Sequence, residues 1–304
     1  MVNFLKVVGK IILWLVAAVV MVIALALLVV GVRYWTWTPD PLDDLYGDHE
    51  VLNFAHRGGQ EVAPENTLSA FLSAEAMGAH GVELDVMFSQ DKELAVIHDW
   101  ELDRTTDGEG LVKDHTMDEI RELDAGSWFN EAFTGERIPT LQEVIEILEP
   151  ETMINIELKS VSPVTDGLEA AVVDVIQGYD LYGRVVVSSF NPIALLRVKQ
   201  ADKDIPVGLL YNETEKMQDN PVLDHILRKG WFIPILRPEQ LHPQFNMVDE
   251  KYMEWARKKG FRVNVWTVNE AADLKEMLDL GVDGIITDRP DQLLKHMQEQ
   301  GLAD

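Results

Sequence analysis

The chain has 304 residues, which is long enough to bury the core of one large domain. Its 52 acidic residues against 26 basic ones give a formal charge of −26, which argues against nucleic acid as a partner and against broad electrostatic binding to anionic lipid. The absence of cysteine excludes disulfides and cysteine-based zinc sites.

The first predicted element is a membrane-spanning helix over residues 11–32. This run carries no charge, and about 20 apolar residues suffice to cross a bilayer. It is longer than the ~7–15 apolar residues of a signal peptide, and no clear cleavage site follows it. We therefore expect residues 1–33 to form a retained membrane anchor, residues 34–50 a linker, and residues 51–304 the folded domain.

The charges that flank this anchor predict its orientation. Lys6 and Lys10 precede the apolar run and Arg33 follows it. The positive-inside rule then favours a cytoplasmic N-terminus, which makes the chain a single-pass protein of the cell membrane with its folded domain outside the cytoplasm. Trp35 and Trp37 fit either an anchor at the outer interface or an exposed aromatic pair in the linker.

From residue 51 onwards, predicted strands alternate with predicted helices. The predicted strands lie near 51–55, 81–86, 153–158, 185–189, 206–210, 231–235, 262–266 and 284–287. The predicted helices lie near 67–78, 166–178, 192–200, 221–229, 249–259, 269–279 and 290–300. Eight strands joined by crossovers predict parallel pairing with right-handed connections. Periodicity alone does not separate an open sheet from a closed barrel.

Polar side chains stand where two apolar runs end. His56 and Arg57 follow directly on the run 51–55, and His98 follows the run 93–97. A single histidine at a strand end is more often structural. Strand ends followed by loops are nevertheless where barrel enzymes place their chemistry, so the set as a whole favours a functional site.

Two further pairs of charged residues lie two apart on predicted strands. Glu83 and Asp85 form one pair, and Glu157 and Lys159 form the other. Residues two apart on a strand point to the same face, and two unneutralised carboxylates repel each other. Oxygen ligands suit Mg²⁺ or Ca²⁺, so we expect a divalent cation between the carboxylates, with Glu157 completing the oxygen ligands.

A series of short motifs runs through the predicted domain. They are His56-Arg57-Gly58-Gly59, Pro64-Glu65-Asn66-Thr67, Glu83-Leu84-Asp85, His98-Asp99, Arg104-Thr105-Thr106, Ile138-Pro139-Thr140-Leu141, Ile156-Glu157-Leu158-Lys159, Ser188-Ser189-Phe190, Trp266-Thr267-Val268-Asn269 and Gly284-Ile285-Ile286-Thr287-Asp288. In order and spacing they resemble the glycerophosphodiester phosphodiesterase family. The resemblance covers roughly Val51 to the C-terminal helix. It implies a (β/α)8 TIM barrel with an insertion at about 99–139. One departure is Ser89-Gln90-Asp91-Lys92, where the family often has a glycine.

The resemblance also implies roles for the site residues. Glu83, Asp85 and Glu157 correspond to the family's metal ligands, and His56 and His98 to its two acid–base histidines. Imidazole suits this role because it titrates near neutral pH. The remaining histidines are expected to be surface or structural residues: His49, His80, His115, His225, His242 and His296.

Three more residues are candidates for substrate binding. Arg57 has a guanidinium that can grip phosphate oxygens, and Lys159 offers a point charge for the same anion. For each of them the alternative is an ion pair with a neighbouring carboxylate. Trp266, at the end of a predicted strand, fits either stacking on the glycerol moiety or core packing.

The stretch 99–139 is too long for an ordinary loop between a strand and a helix. A short helix is expected over Met117–Leu123. The apolar residues of this insertion either pack it onto the barrel or line a lipophilic substrate wall. These residues are Leu102, Leu111, Trp128, Phe129 and Phe133.

The sequence therefore predicts a membrane-anchored, metal-dependent hydrolase that converts glycerophosphodiesters to glycerol 3-phosphate and an alcohol. One alternative keeps the chemistry but takes lysophospholipids at the membrane, in the manner of a lysophospholipase D. An alternative of another class is a catalytically inactive, membrane-tethered binding protein. The carboxylates alone would also fit a glycosidase barrel, but two histidines and two basic residues fit a phosphate substrate better.

Overall fold

The core of the protein is a closed barrel of eight parallel strands. A computed structural model of the chain describes residues 2–212 and 232–303. Their strands are β1 (Leu52–Ala55), β2 (Gly81–Phe88), β3 (Leu94–Val96), β4 (Met153–Leu158), β5 (Val185–Ser189), β6 (Val207–Tyr211), β7 (Gln240–Pro243), β8 (Arg262–Val265) and β9 (Gly284–Thr287). The barrel order is β1-β9-β8-β7-β6-β5-β4-β2, and β1 pairs with β2 to close it. The predicted TIM barrel is confirmed.

Helices follow most of the barrel strands and cover the outside of the barrel. Two helices, Val2–Thr36 and Asp43–Tyr46, precede the barrel, and the other helices of the described residues are Leu68–Ala76, Met117–Arg121, Leu141–Ile147, Leu168–Gly178, Pro192–Ala201, Ile233–Leu236, Glu250–Lys259, Ala271–Leu280 and Pro290–Gln300. Polar caps fix the predicted helix starts: the Thr67 hydroxyl accepts from the backbone N–H of Ala70, and the Asn191 side chain accepts from that of Ile193. The predicted helix near 221–229 lies outside the described residues.

The strand predicted at 231–235 is wrong in the part that the structure describes. The helix Ile233–Leu236 occupies this apolar run, and the barrel strand is β7, further along the chain. Pro234 lies in the run, and a proline cannot donate a hydrogen bond to a central strand. The true strand was missed because it turns the polar side chains of Gln240 and His242 into the protein, where both are fully buried.

The insertion follows a hairpin rather than a barrel strand. β3 pairs antiparallel with β2 beside the barrel, and His98 lies directly after this hairpin strand. A separate apolar cluster holds the insertion to the hairpin. It contains Met87, Ala95, Ile97, Leu102, Val112, Met117, Ile120, Ala125 and Ile138. The short helix Met117–Arg121 lies where the sequence predicted one, and it begins with a capping box between Thr116 and Glu119.

A buried polar cluster fills the barrel close to its N-terminal face, which is the face where the parallel strands begin. His242 Nε2 lies 2.8 Å from Gln240 Oε1, and the Asn264 amide donates to the same oxygen at 2.9 Å. The Tyr46 hydroxyl enters from below and donates to Asn264 Oδ1 at 2.8 Å. Gly208 leaves the space for the imidazole, since a Cβ there would lie 2.5 Å from His242 Nε2.

This cluster predicts an acid-sensitive fold. Burial lowers the pKa of His242 to about 3, whereas an unfolded histidine titrates near pH 6.5. The unfolded chain therefore binds the proton first, and the folded state loses about 2 kcal/mol of stability between pH 8 and pH 5 through this one group. We expect His242→Asn to remove that part of the pH dependence in urea unfolding of the full chain in non-ionic detergent.

The matched control for this prediction is His296→Asn, on the partly exposed face of the C-terminal helix beside Glu299. It should keep the pH dependence of the parent chain. An unchanged slope in His242→Asn would show that His242 does not contribute to the acid sensitivity.

Candidate active site

The loop after β1 is folded so that its backbone reaches the carboxylates of β2. Arg57 has a left-handed φ of 51°, and its backbone N–H donates to Glu83 Oε2 at 2.9 Å. Gly58 follows with a φ of 83°, and a Cβ there would lie 2.7 Å from the Cβ of Ala70. A turn this tight requires glycine, which explains the two glycines after His56-Arg57.

Three carboxylates converge inside the C-terminal end of the barrel. Glu83 and Asp85 lie on β2, and Glu157 lies opposite Asp85 on the neighbouring β4. One oxygen from each lies within 4.8 Å of those from the other two. Burial, and then repulsion by Asp85 and Glu157, raises the pKa of Glu83 well above its usual range. An all-oxygen set under this electrostatic strain fits a hard divalent cation.

Two basic residues partly neutralise this cluster. Lys159 Nζ lies 3.1 Å from Glu157 Oε1 and 3.3 Å from Asp85 Oδ1, and Arg57 Nε lies 3.6 Å from Asp85 Oδ2. Burial alone would raise the pKa of Asp85, but the charges of Lys159, His98 and Arg57 outweigh it and hold the pKa below its ordinary value. The ion pairs considered as alternatives for both basic residues are thus present, within the same cluster as the carboxylates.

Asn66 and Glu65 brace the cluster from the loop before the helix Leu68–Ala76. The Asn66 amide donates to Asp85 Oδ2 at 3.0 Å, from a residue whose φ is 58°. Glu65 accepts from Arg57 at 2.8 Å and from two nitrogens of Arg104 at 2.7 and 2.8 Å. The motif around these residues therefore orients the charged groups of the site as well as starting a helix.

Each of the two candidate histidines is held by a carboxylate at Nδ1. His56 Nδ1 lies 2.6 Å from Asp288 Oδ1, and His98 Nδ1 lies 2.6 Å from Asp99 Oδ1. Burial alone would lower the pKa of His56, but Asp288 and Glu83 outweigh it and raise the pKa. Burial, together with nearby Lys159 and Arg57, lowers the pKa of His98 despite the charge of Asp85.

Asp288 is itself held by two amides. Gln60 donates to its Oδ1 at 2.8 Å and Asn269 to its Oδ2 at 2.5 Å. The contact between Asp288 and His56 was not predicted from the sequence. That contact depends on β1 and β9 being neighbours, which only closure of the barrel reveals.

A cavity of about 250 Å³ opens beside these groups. Six of the eight predicted site residues line it: His56, Arg57, Glu83, His98, Glu157 and Trp266. The other two, Asp85 and Lys159, contact residues of this lining, since Lys159 pairs with Glu157 and Asp85 with Arg57. The Trp266 ring meets Phe190 edge-on at 5.3 Å, and its Nε1 donates to the His242 carbonyl at 2.7 Å. Trp266 therefore both packs against the barrel and faces the cavity.

Two polar residues of the cavity lining were not predicted. Asn155 lies beside Glu83 across the strands, and Ser188 lies beside Glu157. Both are buried, and neither Asn155 Oδ1 nor Ser188 Oγ has a hydrogen-bond partner within residues 2–212 and 232–303. Buried polar atoms are normally paired, so these two atoms mark where a polar ligand or ordered water belongs. Ser188 belongs to one of the motifs that carry the resemblance, but no role was assigned to it, and Asn155 looks like an ordinary strand residue.

Comparison with known proteins gives consistent matches over the barrel. The model of the glycerophosphoryl diester phosphodiesterase family matches residues 56–292. A glycerophosphodiester phosphodiesterase of Caldanaerobacter subterraneus subsp. tengcongensis is 41% identical over 255 residues, covering 83% of this chain and 100% of that protein. One from Bacillus subtilis is 33% identical over 299 residues, covering 92% and 98%. The solved structure of an Oleispira antarctica phosphodiesterase with the product sn-glycerol-3-phosphate matches with a TM-score of 0.69 at 31% identity, covering 81% and 96%.

The carboxylate cluster predicts that binding of a divalent cation releases protons. The raised pKa of Glu83 keeps its carboxyl largely protonated near neutral pH, and a carboxyl must ionise to bind a metal. Titration calorimetry with Mg²⁺ and Ca²⁺ at pH 7, in buffers of different ionisation enthalpy, should therefore show net proton release that shrinks as the pH is raised.

Glu83→Gln tests the source of these protons. This variant keeps the side-chain shape but cannot ionise, so it should bind the cation more weakly and without the release. Equal proton release in the parent chain and in Glu83→Gln would contradict the prediction.

Proposed function

Because this chain belongs to the glycerophosphoryl diester phosphodiesterase family and is a hydrolase of glycerophosphodiesters, we propose that it acts with a divalent cation and two histidines while anchored in a membrane. The observation that carries this proposal is the convergence of Glu83, Asp85, Glu157, His56 and His98 on one cavity at the C-terminal end of the barrel. That is the face on which barrel enzymes carry out catalysis. The proposed products are glycerol 3-phosphate and an alcohol.

The charged residues of the site divide into metal ligands and phosphate-binding groups. Glu83, Asp85 and Glu157 would hold the cation. A bound Mg²⁺ or Ca²⁺ would polarise a phosphoryl oxygen and offset charge gained in the transition state. Lys159 and Arg57 already lie among these carboxylates, so their positive charges are placed to bind the remaining phosphate oxygens.

The two histidines have the geometry of an acid–base pair. Asp288 and Asp99 hold the Nδ1 atoms, which leaves the Nε2 side of each ring for the substrate; His56 Nε2 lies 4.0 Å from Glu83 Oε2, facing the carboxylate cluster. One imidazole would take a proton from the attacking oxygen, of water or of a substrate hydroxyl, as that oxygen bonds to phosphorus, and the other would give a proton to the leaving alkoxide as the phosphorus–oxygen bond breaks. If a substrate hydroxyl attacks first, water then opens the cyclic phosphate.

The membrane anchor is the N-terminal helix. Within its stretch Lys6–Thr36, the most apolar 18-residue window has a mean hydropathy of 3.2, and none of that window is buried against the protein. Lys6 and Lys10 on one side and Arg33 on the other favour a cytoplasmic N-terminus, which would place the barrel outside the cytoplasm.

The rival functions gain less support. Trp128, Phe129 and Phe133 of the insertion pack edge-on in a row, and neither these rings nor Trp100 lines the cavity. These rings therefore do not form a lipophilic wall beside the cavity for a lysophospholipid. A binding protein would need no acid–base pair.

Loss of either histidine or of a carboxylate should abolish most of the activity. We expect His56→Ala and His98→Ala each to lower kcat for glycerophosphocholine by about 10²–10⁴-fold, the usual contribution of acid–base groups, and Glu83→Ala to lower activity by weakening the binding of the cation. Release of glycerol 3-phosphate in the presence of Mg²⁺ or Ca²⁺ is the measurement, and His296→Ala is the matched control. An unchanged rate in His56→Ala would refute the proposed mechanism.

The two polar residues of the cavity lining whose side-chain oxygens lack a hydrogen-bond partner among the described residues, Asn155 and Ser188, should contribute to substrate binding. If Asn155 and Ser188 bind the glycerol hydroxyls, Asn155→Leu and Ser188→Ala should each raise KM by up to about tenfold, because one hydrogen bond contributes ~1 kcal/mol. The change in kcat should be smaller, and Ser73→Ala on an outer helix is the control. An unchanged KM together with weakened cation binding would instead assign these residues to metal-bound water.

A further inference from the structure

We propose that the membrane helix is fixed to the N-terminal face of the barrel, so that the active site opens away from the bilayer and takes its substrates from the aqueous phase. This inference rests on the proposed membrane anchoring. It goes further by assigning an orientation to the domain and a substrate class, namely water-soluble glycerophosphodiesters, to the anchored enzyme.

The end of the N-terminal helix is bound to the barrel by one lysine and a set of aromatic rings. Lys259 Nζ donates to the backbone carbonyls of Tyr34 and Trp37, and it lies 4.5 Å from the Tyr34 ring centroid. The Trp37 ring meets Phe261 edge-on at 5.7 Å, with the Arg237 guanidinium 5.7 Å from its centroid. A basic residue at the C-terminal end of a helix also complements the helix dipole.

These contacts lie on the side of the barrel opposite the active site. Lys259 is the last residue of the helix Glu250–Lys259, and Phe261 immediately precedes β8. Helices of a β/α barrel run back against the strands, so their C-terminal ends lie at the N-terminal face. Pro39 packs beside Gly260, the residue between Lys259 and Phe261. A Cβ built on Gly260 would lie 3.5 Å from Pro39 Cδ.

The chain then continues across this face instead of forming a free linker. The helix Asp43–Tyr46 buries Leu45 and Tyr46 under the barrel, where the Tyr46 hydroxyl bonds Asn264. The His49 ring lies against the ring of His80, 4.1 Å between centroids, and His80 immediately precedes β2. The segment between the anchor and β1 is therefore attached to the N-terminal face at several separate points.

The short link between the N-terminal helix and the docked Trp37 restricts rotation of the barrel relative to the helix. Trp35 is 83% exposed at the end of the anchor, and Trp37 is docked only two residues later. The backbone N–H of Trp37 still bonds the carbonyl of Arg33 at 3.1 Å, so helical geometry continues up to the docking point. A rigid helix end next to the bilayer surface holds the N-terminal face on the membrane side.

This geometry bears on the choice of substrate. The site lies at the opposite end of the strands, roughly 20 Å further from the membrane at ~3.3 Å per residue. A soluble diester reaches that opening by diffusion. A lysophospholipid in the same bilayer would have to leave the membrane before its phosphate reached the carboxylates.

The orientation can be measured with single cysteines, because the chain has none of its own. Glu151→Cys carries a donor dye in the exposed loop before β4, on the N-terminal face, and Val164→Cys carries it in the exposed loop after β4, on the C-terminal face. The full chain is placed in phosphatidylcholine nanodiscs with an acceptor dye on a fraction of the headgroups. We expect energy transfer to be at least about twofold higher for the label on Glu151→Cys, given the ~20 Å between the two faces.

Two uncoupling variants test the docking itself. Lys259→Met removes the hydrogen bonds to the helix end, and ten Gly/Ser residues inserted between Thr36 and Trp37 separate the anchor from the docked segment. Both should narrow the difference in energy transfer between the two labels, the insertion more strongly. Lys258→Met, at the exposed neighbouring position, is the matched control and should leave the difference intact.

Activity in the same nanodiscs tests the substrate class. The full chain should release choline from soluble glycerophosphocholine at least about tenfold faster than from lysophosphatidylcholine held in the disc at equal total concentration. Equal or reversed energy transfer, or faster cleavage of the embedded lysolipid, would overturn this inference while leaving the membrane anchor in place. A chain that fails to stay with the nanodiscs would overturn the anchor as well.

Discussion

The mutual repulsion of three carboxylates, two buried and one partly buried, is the constraint on which the site depends. Strand register brings Glu83, Asp85 and Glu157 together. Their like charges repel one another, and burial increases the electrostatic free energy of this repulsion. Asp85 stays ionised because Lys159 and Arg57 lie beside it, whereas Glu83 has its pKa raised. The cluster therefore holds an incomplete balance of charge. A bound cation would reduce the repulsion between the carboxylates, and this reduction would favour its binding.

The surrounding polar groups orient these charged side chains through hydrogen bonds and ion pairs. Glu65 ties Arg57 to Arg104, and Arg104 in turn holds Asp99 at 2.5 Å, which orients His98. The insertion thus reaches the active site through an ion-pair chain and packs elsewhere through its own apolar cluster. Because each member of this series of ion pairs orients the next, a change in the insertion would alter the orientation of His98 without any direct contact.

The sequence predicted those features that depend on local order, and it missed those that depend on closure of the barrel. Apolar runs and caps were enough for most strands and helices, and the spacing of two residues was enough to place Glu83 beside Asp85. The strand β7 escaped because its inward residues, Gln240 and His242, are polar. The partner of His56 escaped because Asp288 is 232 residues away in the chain. No periodicity or motif spacing carries information about a contact of that range.

Closure of the barrel is also what positions His56 for its proposed role as acid or base. β1 pairs with β2 on one side and with β9 on the other, so the residue that follows β1 has Glu83 on one flank and Asp288 on the other. Asp288 fixes the ring through Nδ1, and Nε2 is thereby turned toward the carboxylate cluster. In an open sheet β1 would lack one of these neighbours, and the imidazole would lose either its orienting carboxylate or its place beside the carboxylate cluster. The proposed catalytic geometry therefore depends on the closed topology of the barrel.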